Sequence, residues 1–212
     1  MNYLEYISLL PDWAHDFLGL NLPELESLDE YVDYILPKIY YLGEDIKNTE
    51  YYVDTPWKEI RQDADYHEHI VHIFKSPEAS FLVKSKAEDD GPDYMRLVNG
   101  EGPKGKWMFL EKNNIILIKQ AAVPTLQQAL NSFESFQLVF LNDDFLIIKR
   151  YGSSPKPGEG KYVILGREVR VRFIEWRECM DLLYNVYRYN MVYISFASGI
   201  IGFILLLFYF SI

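Results

Sequence analysis

The C-terminal run Met191–Ile212 contains no charged side chain. As an α-helix, a run of this length would extend about 33 Å, which matches the ~30 Å hydrocarbon core of a bilayer. Buried helices of soluble proteins seldom continue this far without a charge. The run therefore predicts a single transmembrane helix, over residues 191–212, that anchors the protein in a membrane.

The charges that flank this run predict its orientation. Lysine and arginine residues close to a membrane span favour the cytoplasmic side. No basic residue follows the run, and the N-terminal residues lack the basic segment and apolar core of a signal peptide. We therefore expect a tail-anchored, single-pass protein with its N-terminal domain in the cytoplasm. Four arginines precede the run within about 20 residues: Arg170, Arg172, Arg177 and Arg188.

The net charge of −10 is concentrated near the N-terminus, where residues 1–65 hold 15 acidic and 4 basic side chains. Nucleic-acid binding requires clustered lysine and arginine, so this pattern argues against a nucleic-acid partner. An acidic surface suits either a basic partner or simple solvation. As a docking surface for a partner, the sequence offers Glu26, Asp29, Glu30 and Asp33.

Residues 1–50 have a helical pattern. Ser27 and Glu30 match a capping box in front of a periodic apolar stretch, and Pro37 is expected to kink or end that helix. Two shorter helices are predicted before it, over Tyr3–Leu10 and over Asp12–Leu18, the second closed near Gly19.

From residue 51 the apolar pattern changes to period two, which is typical of strands. Short turns such as Lys112-Asn113 and Asn142-Asp143-Asp144 separate neighbouring runs and favour antiparallel hairpins. Residues 51–173 therefore predict an antiparallel β-meander that closes into a barrel to remove exposed edges. The predicted strands are 55–61, 67–75, 79–86, 93–98, 105–111, 114–120, 134–141, 144–150, 161–165 and 168–173.

Several short motifs in this region resemble the lipocalin-like (calycin-type) β-meander domain of bacterial proteins, over about residues 53–151. They are Thr55-Pro56-Trp57-Lys58, His72-Ile73-Phe74, Phe81-Leu82-Val83, Gly105-Lys106-Trp107, Asn114-Ile115-Ile116-Leu117 and the hairpin from Phe136 to Ile148. The resemblance implies a barrel or half-barrel that holds an apolar ligand, and it supplies no catalytic residues. The chain departs from the family by lacking an export signal and by inserting a short predicted helix at Ala121–Ser132.

Residues 174–190 predict a juxtamembrane helix that continues into the anchor. Small side chains four residues apart lie on one helix face and allow another helix to approach closely. The anchor is therefore expected to pack against an integral membrane partner or a second copy through Ser195, Ser198, Gly199 and Gly202.

The histidines His67 and His69 project to the same face of a predicted strand, which is the spacing of two metal ligands as well as of an ordinary polar face. No nucleophile motif, phosphate-binding glycine loop, cofactor motif or zinc-finger spacing occurs. A set of aromatic residues either fills the barrel or lines an apolar pocket. These residues are Trp57, Phe74, Phe81, Trp107, Phe109, Phe136 and Phe140.

The sequence thus predicts an α+β protein with an acidic helical N-terminal segment, an antiparallel β domain and a transmembrane anchor. The function expected from it is that of a non-enzymatic accessory or scaffold subunit, without metal or cofactor, which presents a cytoplasmic interaction module to a membrane protein complex. Two alternatives remain open. One is a receptor or carrier for an apolar ligand in the barrel, and the other is a metal-dependent hydrolase that uses His67 and His69.

Overall fold

A computed structural model describes residues 7, 10–63, 69–76, 92–119, 133–151 and 160–210, with the side chains of Phe133 and of residues 200–210 left aside. The helices are α1 (Asp12–Leu18), α2 (Leu28–Ile39), α3 (Glu168–Val171) and α4 (Trp176–Phe210). The strands are β1 (Trp57–Ile60), β2 (Ile70–Phe74), β3 (Asp93–Val98), β4 (Lys104–Leu110), β5 (Ile115–Lys119), β6 (Phe133–Leu141), β7 (Phe145–Arg150) and β8 (Tyr162–Arg167).

The eight described strands form a closed antiparallel barrel in which each strand pairs with its neighbour in sequence. The ring is closed by β1 and β8, which pair from Trp57 opposite Arg167 to Ile60 opposite Ile164. Closure gives every one of these strands two hydrogen-bonded neighbours, so no edge is left for unwanted pairing. The predicted antiparallel barrel is confirmed, whereas the predicted strand at 79–86, its residue Phe81 and the helix at Ala121–Ser132 lie outside the described residues.

Local sequence signals set the ends of the helices and hairpins. Gly19 closes α1 in the left-handed conformation (φ 63°), and the Ser27 side chain accepts a hydrogen bond from Glu30 N at 3.3 Å in the predicted capping box. In the β6–β7 turn, Asn142 Oδ1 accepts from Phe145 N at 2.7 Å. Of the two effects expected at Pro37, the end of the helix is not observed there, because α2 continues to Ile39.

Two apolar cores lie on opposite faces of the barrel wall. The inner core fills the lumen, and the outer core lies where α2 and α4 cover the outer faces of β7 and β8. In β7, Leu146 and Ile148 belong to the inner core while Phe145 and Ile147 belong to the outer one, so four successive residues are buried. This explains why the β7 sequence is an apolar run rather than an alternating one.

The predicted strand at 168–173 is wrong, because Glu168–Val171 form the short helix α3. Its alternating sequence does not bury one whole face: Val169 and Phe173 are exposed, and only Val171 is buried, against Gly166 of β8. Lys58 Nζ donates to the carbonyls of Val171 and Arg172 at 3.1 and 2.8 Å, which satisfies the end of this turn.

The expected transmembrane helix is also wrong. Residues 191–210 continue α4, and among the residues that the structure describes no helix is long and apolar enough to cross a membrane. The described side chains of α4 carry charges as far as Arg188. The charged residues of α4 are Arg177, Glu178, Asp181 and Arg188.

Replacement of Gly166 tests the contact between α3 and the barrel. A Cβ at Gly166 would lie 2.6 Å from Val171 Cγ2, so Gly166→Ala should lower the free energy of unfolding by about 1–3 kcal/mol through overpacking. The control is Gly199→Ala, whose Cβ meets nothing within 4 Å, and helix propensity should make that variant more stable by up to ~1 kcal/mol. Urea unfolding measures both; equal stability of Gly166→Ala and the parent would contradict the packing described.

Candidate functional site

The lumen of the barrel has an aromatic end and a polar end. On each of three successive strands, two inward-facing residues that are two positions apart lie one at each end. The aromatic and polar members of these pairs are Trp57 and Glu59 on β1, Phe74 and His72 on β2, and Tyr94 and Arg96 on β3. Register places these side chains on the same face, since Trp57 lies opposite His72, and His72 lies opposite Arg96. The polar end consists of Glu59, His72, Arg96, Glu134 and Arg150.

Aromatic rings fill the other end of the lumen. Tyr52, from the segment before β1, lies 6.0 Å from Phe74 and 5.9 Å from Trp107 between ring centroids, and Phe74 lies 5.5 Å from Trp107. These edge-to-face contacts are the favoured packing of aromatic rings. Trp57 is fully buried beside them, and its Nε1 donates to the Tyr52 carbonyl at 3.0 Å. This end of the lumen is thus packed with side chains.

The aromatic residues singled out from the sequence are divided between the two cores. Trp57, Phe74, Trp107 and Phe136 are buried in the inner core, with Phe109 half-buried against it. Phe140 is buried in the outer core beneath the helices. A register shift in β6 between Leu138 and Phe140 turns Phe140 away from the lumen.

A buried hydrogen-bond network marks the polar end. His72, which is 6% exposed, contacts the Tyr94 hydroxyl through Nδ1 at 2.6 Å and Glu59 Oε2 through Nε2 at 2.9 Å. Arg96 Nη2 lies 3.7 Å from the same Glu59 oxygen. Burial opposes ionisation of Glu59, but the His72 hydrogen bond and the charges of His72 and Arg96 outweigh it and hold the Glu59 pKa below its ordinary value. Burial raises the pKa of Tyr94.

A cavity of about 360 Å³ opens beside this network, between the barrel and the N-terminus of α2. Arg61, Arg96 and Arg150 line it together with Glu59 and Asp63. Its volume lies within the roughly 300–1,000 Å³ that small-molecule pockets occupy in proteins. The polar end therefore combines a network of ionisable groups with room for a small ligand.

The histidine pair does not assemble a metal centre in the described part of the chain. His67 lies outside it, and His69 Nε2 lies 3.5 Å from Glu168 Oε1. Among the described residues, no group of three or more His, Cys, Asp and Glu side chains could hold a metal ion. The third histidine of the segment, His72, points into the lumen instead.

Two of the predicted docking residues are engaged within the chain. Asp29 accepts hydrogen bonds from the backbone amides of Lys161 and Tyr162, at 2.7 and 3.1 Å. Asp33 accepts from Lys161 Nζ at 2.7 Å and from the Tyr162 hydroxyl at 2.7 Å. These contacts attach α2 to the start of β8. The acidic face is therefore partly an internal attachment.

The two glutamates of that face differ from the aspartates. Glu30 is exposed, and its carboxylate accepts from Glu26 N at 3.1 Å within the capping box. The Glu26 side chain is exposed as well. These glutamates therefore remain on the surface, where docking stays a prediction.

The last described turns of α4 carry a second surface of interest. Tyr193, Ile194 and Phe196 are 70%, 47% and 72% exposed. Ser195 is half-buried, Ser198 and Gly199 are exposed, and a Cβ at Gly199 would meet nothing within 4 Å. Gly202 lies in α4 beyond the side chains that are described, so packing through these small residues stays a prediction.

Sequence reasoning missed the polar end of the lumen. Its signal was present, because Glu59 follows Trp57 by two residues and Glu134 precedes Phe136 by two, and side chains two apart on a strand share a face. Charged residues at inward positions of a predicted barrel therefore pointed to a polar region inside it.

Comparison of the chain with protein-family models, curated proteins and solved structures returns no match. The functional argument therefore depends on the geometry alone.

The network at Glu59 predicts a pH-dependent stability. A carboxylate whose pKa is lowered by folding stabilises the fold above its unfolded pKa, near 4.5, and loses that contribution as the pH falls through the folded value. Glu59→Gln should therefore lower the free energy of unfolding by roughly 1.5 kcal/mol at pH 7, and this difference from the parent should shrink below pH ~4. Urea unfolding between pH 3 and 7 measures this.

Glu134→Gln is the matched control, because its carboxylate is 44% exposed and lies 3.6 Å from Arg150. It should change stability by less than about 1 kcal/mol. A Glu59→Gln variant that differs from the parent equally at pH 3 and pH 7 would contradict the ionised network.

The attachment of α2 gives another prediction. Asp29→Ala leaves the Lys161 and Tyr162 amides without their acceptor, so it should lower the free energy of unfolding by roughly 1–3 kcal/mol. Glu26→Ala, at an exposed side chain of the same acidic face, should stay within about 0.5 kcal/mol of the parent. Thermal and urea unfolding of the two variants compare them, and equal losses would show that Asp29 is only a surface charge.

Proposed function

We propose that the protein is a non-enzymatic accessory subunit in which a lipocalin-like barrel serves as a rigid scaffold and presents the apolar end of α4 to a partner protein. The observation that carries the proposal is the contrast between the two halves of α4. Met180, Leu183 and Tyr184 are fully buried against the rest of the chain, whereas Tyr193 and Phe196 are more than two-thirds exposed.

The first half of α4 is firmly attached to the domain. Tyr187 Oη donates to the Leu18 carbonyl at 3.0 Å, and Arg188 Nε donates to the Leu20 carbonyl at 2.8 Å, at the C-terminal end of α1. The Tyr184 hydroxyl donates to the Gly19 carbonyl at 2.5 Å. The helix therefore leaves the domain in a fixed direction, which suits a docking element that must be presented rather than folded on contact.

The second half of α4 lacks a cover from the described residues. From Tyr189 to the end of the chain no charged residue occurs, so the helix has no polar face of the kind that surface helices carry. Burial of a large apolar side chain contributes about 1.5–3 kcal/mol, and three of them lie exposed within one turn. A partner helix or groove that covers this surface would bind with useful affinity.

The packing of the lumen supports a scaffold over a carrier of apolar ligands. The aromatic end is occupied by its own rings at centroid distances of 5.3–6.0 Å. An apolar ligand of drug-like size would have to displace Tyr52 or Trp107, both buried. In a barrel of eight strands the interior either is filled by side chains or holds one small ligand, and here side chains occupy the apolar part.

Two serine substitutions in α4 test the proposal. In the full-length chain, Ile194→Ser with Phe196→Ser should reduce the amount of co-purifying partner at least tenfold while leaving the unfolding midpoint unchanged, since both side chains are exposed. Affinity purification in mild detergent followed by quantitative mass spectrometry is the measurement.

The matched control is Val169→Ser with Phe173→Ser, which removes two apolar side chains that are 80% and 91% exposed near α3. It should retain the partner. Light scattering of the purified protein over a range of concentrations shows whether that partner is a second copy of the chain. Equal recovery of partners by the α4 variant and the parent would refute the proposal.

A further inference from the structure

The cavity at the polar end of the lumen is lined by donors from separate elements. Arg61 follows β1, Arg96 lies on β3, and Arg150 ends β7, and all three line the same space. Planar guanidinium groups bind carboxylates and phosphates through two parallel hydrogen bonds. The barrel thus brings together three side chains suited to oxyanions, from positions up to 89 residues apart in sequence.

The carboxylates around the cavity are already engaged. Asp29 accepts from the Lys161 amide at 2.7 Å, Asp63 Oδ2 lies 2.7 Å from Arg61 Nη2, and Glu59 Oε2 lies 2.9 Å from His72 Nε2. Each acid is thus held by a donor of this chain. The three acids balance the three arginines, so the site suits a ligand of low net charge rather than a polyanion.

Unlike these carboxylates, the Arg96 side chain is not held by a hydrogen bond among the described residues. Among the described residues, the acidic atom nearest to its guanidinium is Glu59 Oε2 at 3.7 Å, which is longer than a hydrogen bond, and the guanidinium forms no hydrogen bond there. The side chain is 35% exposed and lines the cavity. Arg96 therefore has donors to offer a ligand without giving up a bond within the protein.

The N-terminus of α2 adds to the positive electrostatic potential that the arginines create in the cavity. This 12-residue helix begins at the cavity, where Ser27 and Leu28 are lining residues. A helix N-terminus carries a partial positive charge that favours anions. The Gln62 side chain, which also lines the cavity, accepts from Leu28 N at 3.0 Å and donates to the Glu26 carbonyl at 2.8 Å, so the helix start is held in place.

We propose that this cavity is a binding site for a small organic oxyanion, a carboxylate or phosphate of low net charge, held by the fork of the Arg96 guanidinium. The site is separate from the α4 surface and does not depend on the function proposed for it. A second guanidinium at the cavity is held in place, because Arg150 Nε donates to the Gly160 carbonyl at 3.2 Å. The Tyr162 and Gln62 side chains complete the wall.

The experiment titrates the full-length protein with sodium phosphate and, separately, with sodium acetate against sodium chloride at constant ionic strength. Amide chemical shifts report binding and its place. The expected result is a saturable shift for at least one of the two oxyanions, at residues around the cavity, with chloride giving none. A larger response to phosphate or to acetate identifies which oxyanion the site prefers.

Two variants at Arg96 decide the role of its fork. Arg96→Gln should weaken binding at least tenfold, and Arg96→Lys, which keeps the charge but loses the paired donors, should weaken it about threefold or more. The matched control is Arg170→Gln, at a 69% exposed arginine outside the cavity, which should bind like the parent.

The amide spectrum without ligand shows that each variant is folded, and Arg96→Lys serves if Arg96→Gln is not. The proposal is overturned if neither oxyanion saturates, if the shifts fall away from the cavity, or if the folded Arg96 variants bind as tightly as Arg170→Gln.

Discussion

The pairing of β1 with β8 is the contact on which the rest of the structure depends. It joins strands more than 100 residues apart in sequence and converts an open meander into a ring. Successive side chains of a strand point to opposite faces, so the register of this pairing also decides that Trp57 and Glu59 face inward while Lys58 and Ile60 face outward. A shift of one residue would place a charged lysine in the lumen and expose Trp57.

The outward side chains create the second layer of the fold. The helices α2 and α4 pack against an apolar outer surface of the barrel, formed by Ile60 of β1, Phe145 and Ile147 of β7, and Ile164 of β8. Hydrogen bonds from Lys161 and Tyr162 to Asp29 and Asp33 then fix the position of α2. The start of α2 is thereby held over the polar end of the lumen, so the outer layer helps to shape the cavity between α2 and the barrel.

The polar end is compatible with a stable barrel because its buried groups are satisfied. An unpaired buried carboxylate or imidazole would cost several kcal/mol, whereas Glu59, His72 and Tyr94 form one continuous network. The aromatic end supplies the apolar burial that stabilises the barrel. The aromatic end thus stabilises the closed ring, and the polar end presents polar groups to the cavity.

What the sequence by itself determined is what depends on near neighbours. Period-two runs predicted the barrel strands, Gly19 and Ser27 marked helix ends, and Asn142 marked a hairpin, because turn and capping chemistry acts within a few residues. The pattern failed at Glu168–Val171, where packing of Val171 against Gly166 outweighed local alternation. Only the tertiary structure turned Asp29 and Asp33 towards β8 and assembled Glu59, His72 and Arg96 around one cavity. Those contacts join residues far apart in the chain, and barrel closure, a global constraint, decides which of them meet.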